Sequence, residues 1–362
     1  MRILGIESSC DETAAAVVED GHRLLSNVVR TQIDIHKVYG GVVPEVAARS
    51  HIEVINPVID QALTDAHLSW DDIDGIAVTY APGLGGSLLV GTLAARTIAA
   101  QKNIPLYPIH HVEAHVYANF LTEQADGIDL TLPSKQPEFP MLALIVSGGH
   151  SQLVLFRDHG DFELLGQTQD DAVGEAFDKV AKIIGLPYPG GPSVAEAAKL
   201  GDPKKYKLPK AKLQGAYDFS FSGLKTAVLR AVQHEVGVDT TFPSFDLAAR
   251  LSESQRNDFA ASFQNTAIET LVDKAEKAFH AYSPASVVIA GGVAANKELR
   301  RQLQERLPLP IEYAPMELCT DNGAMIATLG CFYAERKAPS SPLDLEIQPS
   351  LSMTKTAWNQ TV

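Results

Sequence analysis

The chain has 362 residues, 45% of them apolar, and its 44 Asp and Glu against 30 Lys and Arg give a formal charge of -14. This length exceeds one compact core and argues for two domains or lobes, while the acidic balance excludes a general nucleic-acid coat, which needs clustered cations. Cys10, Cys319 and Cys331 are too few and too far apart for a disulfide framework or a C-x-x-C zinc pair, no apolar run approaches the roughly 18 residues of a membrane helix, and Asp11 and Glu12 come too early for a signal-peptide core, so a cytoplasmic protein is expected.

In chain order, Arg2 to Gly21 reads as strand, polar turn and strand. Ile73 to Thr79 reads as a buried strand, followed by the turn APGLGG and a helix from about Ser87 to Gln101, with Ser87 as its cap. Gly83, Gly85 and Leu88 break the G-x-G-x-x-G dinucleotide spacing. Next, IHHVEAHVYA sets His111 and His115 four residues apart, on one face if helical and within reach of one ion. A pair of packed or surface histidines is the plain alternative. Glu113 stands one position too late for the H-E-x-x-H of a zinc protease.

Residues from about Leu121 to Pro140 read as a linker. Met141 to Gly160 then repeats the first segment in length and pattern, which points to duplicated lobes. In DDAVGEAFDKVAK, a helix would put Asp171, Glu175 and Asp178 on one face, suited either to ribose hydroxyls and cations or simply to solvent. The turns ESSCDET, VSGGHS, YPGGPS and AGGVAAN each let backbone approach a phosphate or nucleoside, and four such loops suit a nucleotide held between two lobes. Lys204, Lys205, Lys207, Lys210 and Lys212 around Tyr206 form the one strong basic cluster, readable as an RNA phosphate contact or a solvated loop. SGLKT inserts Leu224 where a P-loop needs Gly-Lys.

Ser286 to Ala290 reads as another strand leading through GGVAAN into an amphipathic helix. Asp321 opens a small-residue helix, either as an ordinary N-cap or as a distant third ligand beside the histidines. The Ser- and Pro-rich stretch beyond about Ala338 reads as loosely ordered. Strands alternating with helices give an α/β protein. The expected domains are 1–125 with about 315–337 as a first lobe, 138–314 as a second, and 338–362 as a tail.

Taken together, GIESSCDET, YGGVVPEVAAR, HHVEAH, VSGGHS, DDAVGEAFDK, YPGGP, FSFSGLKT, AGGVAAN and CTDNGAMIA resemble the tRNA threonylcarbamoyladenosine transferase family over about Met1 to Arg336. That resemblance implies two duplicated ribonuclease-H-like lobes of the actin, sugar-kinase and Hsp70-like superfamily with an interlobe nucleotide cleft. It implies one Fe2+ (or Zn2+) on His111, His115 and Asp321, and places Asp11 and Glu12 as the catalytic acidic pair. Substrate contacts are implied at Ile145, Val146, Ser147, Gly148, Gly149, Asp178, Gly191 and Asn296. Where some members carry an acidic residue, this chain has Ala195 followed by Glu196.

The implied reaction passes a threonylcarbamoyl group from threonylcarbamoyl-AMP, made by a separate synthase, to the exocyclic amine of the adenosine 3′ of the anticodon. An adenine nucleotide is the implied ligand, and a small ATPase and a catalytically silent paralogue are implied partners besides tRNA, with no membrane. The mixed anhydride is already activated, so catalysis rests on positioning, charge stabilisation and proton removal. An ATP-driven sugar kinase or chaperone-like ATPase, a metallopeptidase and a non-catalytic scaffold subunit are the competing readings.

Overall fold

The computed structural model describes residues 1–355, and the chain divides into two compact units, Met1–Glu138 with Asp158–Asp161 and Glu312–Val362, and Phe139–Arg157 with Phe162–Ile311. Unit 1 opens with β1 (Arg2–Glu7), β2 (Glu12–Glu19) and β3 (Arg23–Thr31). Helices α1 (Ile33–Lys37) and α2 (Pro44–Asp65), strand β4 (Gly75–Ala81), α3 (Gly85–Lys102), β5 (Leu106–His110), α4 (His111–Tyr117) and the short β6 (Glu123–Gln124) follow. Its sheet runs β5-β4-β1-β2-β3-β6.

Unit 2 contains β7 (Met141–Val146), β8 (Ser151–Asp158), β9 (Asp161–Gln167), α5 (Val173–Ile184), α6 (Gly190–Ala198), α7 (Ser222–Glu235), α8 (Glu253–Tyr282), β10 (Ser286–Ala290) and α9 (Lys297–Arg306). Here the strands run β10-β7-β8-β9. The duplication read from the sequence is visible in the pairing. β1 pairs antiparallel with β2 and parallel with β4, and β7 pairs antiparallel with β8 and parallel with β10. Unit 1 resumes with β11 (Glu312–Tyr313), α10 (Met316–Cys319) and α11 (Gly323–Arg336).

The strands of the first hairpin are buried almost throughout because helices cover the sheet: Ile3, Leu4, Ile6 and Ala14 to Val18 are all 0% exposed. α11 lies close against the sheet, and small residues are the reason. A Cβ on Gly5 would lie 2.4 Å from Ala327 N and Gly323 O, and one on Gly323 would lie 2.5 Å from Ala15 C. Such an approach tolerates no side chain at either position. It also fixes where the N-terminus of α11 ends up.

Two local readings are corrected. α3 begins at Gly85 rather than Ser87, and Ser87 is no cap: it is buried, with its hydroxyl donating to Cys10 O at 3.3 Å. The stretch from Ala338, expected to be loose through residue 362, makes specific hydrogen bonds over residues 340–351, from Ser340 N to Leu106 O (2.8 Å) to His110 on Leu351 O (3.0 Å). Residues 356–362 lie outside the described residues. Cys10, Cys319 and Cys331 form no disulfide with one another. Among the described residues no helix is long and apolar enough to cross a membrane.

Candidate metal centre and nucleotide loops

β5 runs directly into α4, so His110 ends the strand and His111 starts the helix. One helical turn brings His111 and His115 onto one face, with ring centroids 4.7 Å apart. Asp321 approaches from the turn that precedes α11. Asn322, not Asp321, caps that helix, its side chain accepting from Met325 N at 3.0 Å. The neighbouring carboxylate is thereby left to face the histidines, with Oδ1 at 3.5 Å from His111 Nε2 and 3.3 Å from His115 Nε2.

One ligand atom from each of the three residues lies within 4.8 Å of the others, the one such group of three or more among the described residues. Their chemistry fits a divalent transition metal, since two imidazoles and a carboxylate suit iron or zinc. The burial of His115 supports the fit: its Nε2 makes no regular hydrogen bond and has only the Asp321 carboxylate, at 3.3 Å, to face. Such a nitrogen is costly to bury unless something coordinates it.

Behind the triad stands Glu7, the first residue of the ESSCDET turn, whose role was not evident from sequence. It is 0% exposed at the end of β1. Its carboxylate accepts from Ser9 N and Thr79 Oγ1 and lies 3.0 Å from His111 Nδ1. A carboxylate only accepts, so Nδ1 carries the hydrogen and Nε2 is turned toward Asp321 and His115, the arrangement by which a carboxylate orients a metal-bound histidine. The available signal was a charged residue closing an otherwise apolar strand. Ser9 Oγ adds a contact at 3.2 Å to the same nitrogen.

Burial disfavours charge on His111, but Asp321 and Glu7 outweigh it and raise its pKa to about 9. Burial likewise opposes ionisation of Glu7, while His111 draws its pKa below the usual value. The first loop adds more negative charge. Glu12 is held well above the usual carboxylate range by burial and then by Asp321 and Asp11, and burial also pushes the Cys10 thiol up. Carboxylates that raise one another in this way gain from a nearby cation.

In unit 2 the loop after β7 is built around Ser147. Its hydroxyl accepts from His150 N at 3.1 Å, and its carbonyl accepts from Gly174 N at 3.2 Å. Ile145 and Val146 are buried strand residues, whereas a Cβ on Gly148 or Gly149 would meet nothing within 4 Å. Gly291, at φ +88°, packs so closely that a Cβ would lie 2.5 Å from Val146 O. These are open glycines on a rigid base.

Asp178 accepts from Gly190 N at 2.6 Å, tying α5 to the start of α6, where Gly191 is also open. The expected shared face of Asp171, Glu175 and Asp178 is therefore split. Asp171 precedes α5 and joins Glu175 on Lys179, each at 2.8 Å, while Asp178 turns to the Gly190 amide. Asn296 caps α9, accepting from Glu298 N and Leu299 N, and donates to Gln264 Oε1 at 3.0 Å. Glu196 is exposed and bound to Lys199 at 2.6 Å. In the basic cluster, Lys210 is held by Glu269 and Asp273 at 2.8 and 2.7 Å, and Lys204, Lys205, Lys207 and Lys212 are exposed.

A chain of two α/β units, one bearing a His-His-Asp group backed by a buried carboxylate, has the donor set of a candidate transition-metal site rather than the all-oxygen set that Mg2+ prefers. The comparisons with known proteins narrow that reading. A family model described as tRNA N6-adenosine threonylcarbamoyltransferase matches residues 23–328. Relatives of that name include proteins from Thermomicrobium roseum (48% identical, covering 98% of this chain and 97% of the relative) and Dehalococcoides mccartyi (49% identical, 98% and 100%). Among solved structures, full-length HypF in a phosphate- and nucleotide-bound form shares the fold at TM-score 0.57 and 15% identity, over 94% of this chain and 47% of that one. The chain belongs to the tRNA N6-adenosine threonylcarbamoyltransferase family, a family of tRNA-modifying transferases.

Proposed function

We propose that this chain transfers the threonylcarbamoyl group from threonylcarbamoyl-AMP to the exocyclic amine of the adenosine 3′ of the anticodon, in tRNAs reading codons that begin with A, releasing AMP. The observation that carries the reading is the His111, His115 and Asp321 triad with Glu7 behind it, in a chain of this family. The amine nitrogen forms a bond to the carbamoyl carbon, the bond from that carbon to the phosphate oxygen breaks, and AMP leaves with the electron pair. The amine proton must go to a base. Glu12 is assigned as that base, with Asp11 as its orienting neighbour.

His111, His115 and Asp321 would hold one Fe2+, which would supply positive charge against the negative charge that develops during transfer. Glu7 keeps the His111 tautomer that such binding requires. Ile145, Val146, Ser147, Gly148, Gly149, Asp178, Gly191 and Asn296 are assigned to the nucleotide part of the donor. A small ATPase and a silent paralogue are the proposed partner subunits, a threonylcarbamoyl-AMP synthase acts upstream, and the cytoplasm is the proposed compartment.

The test is mass spectrometry of nucleosides from tRNA incubated with the protein, synthetic threonylcarbamoyl-AMP and the candidate partners, with and without chelator. Threonylcarbamoyladenosine should form, and His111→Ala or chelator should suppress it. No product with every partner present would sink the reading.

A further inference from the structure

Residues 338–355 follow α11 and add no strand of any length to unit 1, yet they touch it at a series of fixed points. Arg96, on α3, donates through Nε to Pro342 O and through Nη2 to Leu343 O at 2.8 Å. Ser340 N donates to Leu106 O at 2.8 Å, on the edge strand β5. Leu345 is 7% exposed within the main core of unit 1, and Met353 is 2% exposed. Between those two anchors, Gln348 N donates to Tyr80 O at 2.9 Å and Pro349 O accepts from Gly83 N at 3.1 Å. Leu351 O lies 3.0 Å from His110 Nε2, and because a carbonyl only accepts, His110 must be the donor.

The last two contacts fall on the elements that support the metal ligands. His110 is the residue before His111, at the junction where β5 becomes α4. Gly83 lies against Ser9: a Cβ there would come 2.6 Å from Ser9 O, and Leu84 N donates to that same oxygen at 2.8 Å. Ser9 Oγ in turn contacts His111 Nδ1 at 3.2 Å. One stretch of chain thus grips the ligand helix at its first turn and the loop that backs the same histidine. Neither grip uses a strap side chain, so both depend on where the strap backbone runs.

We propose that residues 340–353 are a positioning strap for the metal centre, and that the His110 hydrogen bond to Leu351 O is the contact through which the strap sets His111. The inference rests on the metal-site reading above. His110 is a positioning residue here, and contributes no ligand. A buried donor aimed at a fixed backbone carbonyl holds the His110 ring, and with it the end of β5 from which His111 follows. Outer contacts made directly to a ligand are worth about 10–100-fold in metal affinity when removed, and a contact one residue removed from the ligand is expected at the lower end of that range.

The experiment titrates Co2+ into the full-length protein and four variants, reading the dissociation constant, the visible absorption spectrum and the thermal midpoint of each. Chains ended after Gln348 and after Lys355 separate the strap from residues 356–362. His110→Leu and His110→Gln separate the hydrogen bond from the packing, since a glutamine amide can donate where Nε2 does. The chain ended after Gln348 and His110→Leu should each bind Co2+ at least about tenfold more weakly with an altered spectrum, whereas His110→Gln and the chain ended after Lys355 should stay close to wild type.

Wild-type affinity and spectrum in His110→Leu, with only the thermal midpoint lowered, would make the strap a stability element alone and overturn the proposal. So would equal losses in His110→Leu and His110→Gln, or a loss on removing only residues 356–362. If the chain ended after Gln348 does not fold, the two His110 variants decide. A wild-type protein that binds no Co2+ overturns the metal-site reading itself, and the proposal with it, which keeps the two failures distinct.

Discussion

Glu7 and His111 meet at 3.0 Å between two elements that are 104 positions apart in the chain. The carboxylate is completely buried, and its three hydrogen bonds come from Ser9 N, Thr79 Oγ1 and the imidazole. Glu7→Ala should weaken metal binding by about 10–100-fold while leaving the three ligands in place. Thr79→Val removes only a bond to the carboxylate and should cost less. Competition with a chromophoric chelator measures both, and equal affinity in wild type and Glu7→Ala would show that the tautomer needs no help.

Asp321 and Asn322 are adjacent but have different tasks. Asn322→Ala removes a helix cap and should lower stability by about 1 kcal/mol, with metal still bound. Asp321→Ala should abolish tight metal binding, with little or no loss of stability in the metal-free protein. Urea denaturation of the two chelated variants, alongside metal analysis by mass spectrometry, separates the roles. A destabilised Asp321→Ala that keeps its metal would return Asp321 to a structural part.

His159 stacks on Phe332 at 4.1 Å and approaches the rings of Tyr117 and Phe120. Burial, and then the charge of Arg336, lower its pKa to about 4. The folded state therefore resists a proton that the unfolded chain accepts below about pH 6.5. Stability from this residue is complete above that pH and is lost as pH falls from 6.5 toward 4. Because the ring is partly open to water, His159→Phe should reduce that loss by only about 1 kcal/mol. Denaturation midpoints at pH 7, 6 and 5 give the comparison, and parallel curves for the two proteins would contradict it.

Lys210 is occupied by Glu269 and Asp273, whereas Lys207 and Lys212 are exposed. If this stretch meets tRNA phosphate, Lys207→Glu with Lys212→Glu should weaken tRNA binding and lower the salt slope by roughly one for each phosphate no longer neutralised. Lys210→Ala should change little. Filter binding across a series of KCl concentrations reads both quantities, and an unchanged slope would put the tRNA surface elsewhere.

Much of the fold was legible because each signal was local. The alternation of apolar runs and small-residue turns marked Arg2 to Gly21 and Met141 to Gly160 as matching hairpins, and both form as strand pairs with the same neighbour pattern. The four-residue spacing of His111 and His115 needed only a helix to bring the rings together. Glu7 lay inside the first turn motif, but its role was not legible, because its partners Thr79 and His111 are 72 and 104 positions away. Ser87 and the 338–355 stretch were misjudged for a related reason. Capping preference and Pro-rich composition describe what a segment does alone, whereas a buried hydroxyl contact to Cys10 O and hydrogen bonds to Leu106, Tyr80 and Gly83 depend on distant chain.

By itself the sequence determined the α/β class, the duplicated hairpins, the histidine pair and, through its ordered motifs, the family. Tertiary structure decided which residues act together. Asp321 reaches the histidines because glycines at 5 and 323 let α11 lie against β1 and β2, and because Asn322 takes the cap and leaves the carboxylate turned inward. Asp171 and Asp178 part company because one finds Lys179 and the other the Gly190 amide. Spacing along a chain fixes direction within one element only. The meeting of side chains from separate elements is set by how closely those elements can pack and by which buried polar groups must find partners there.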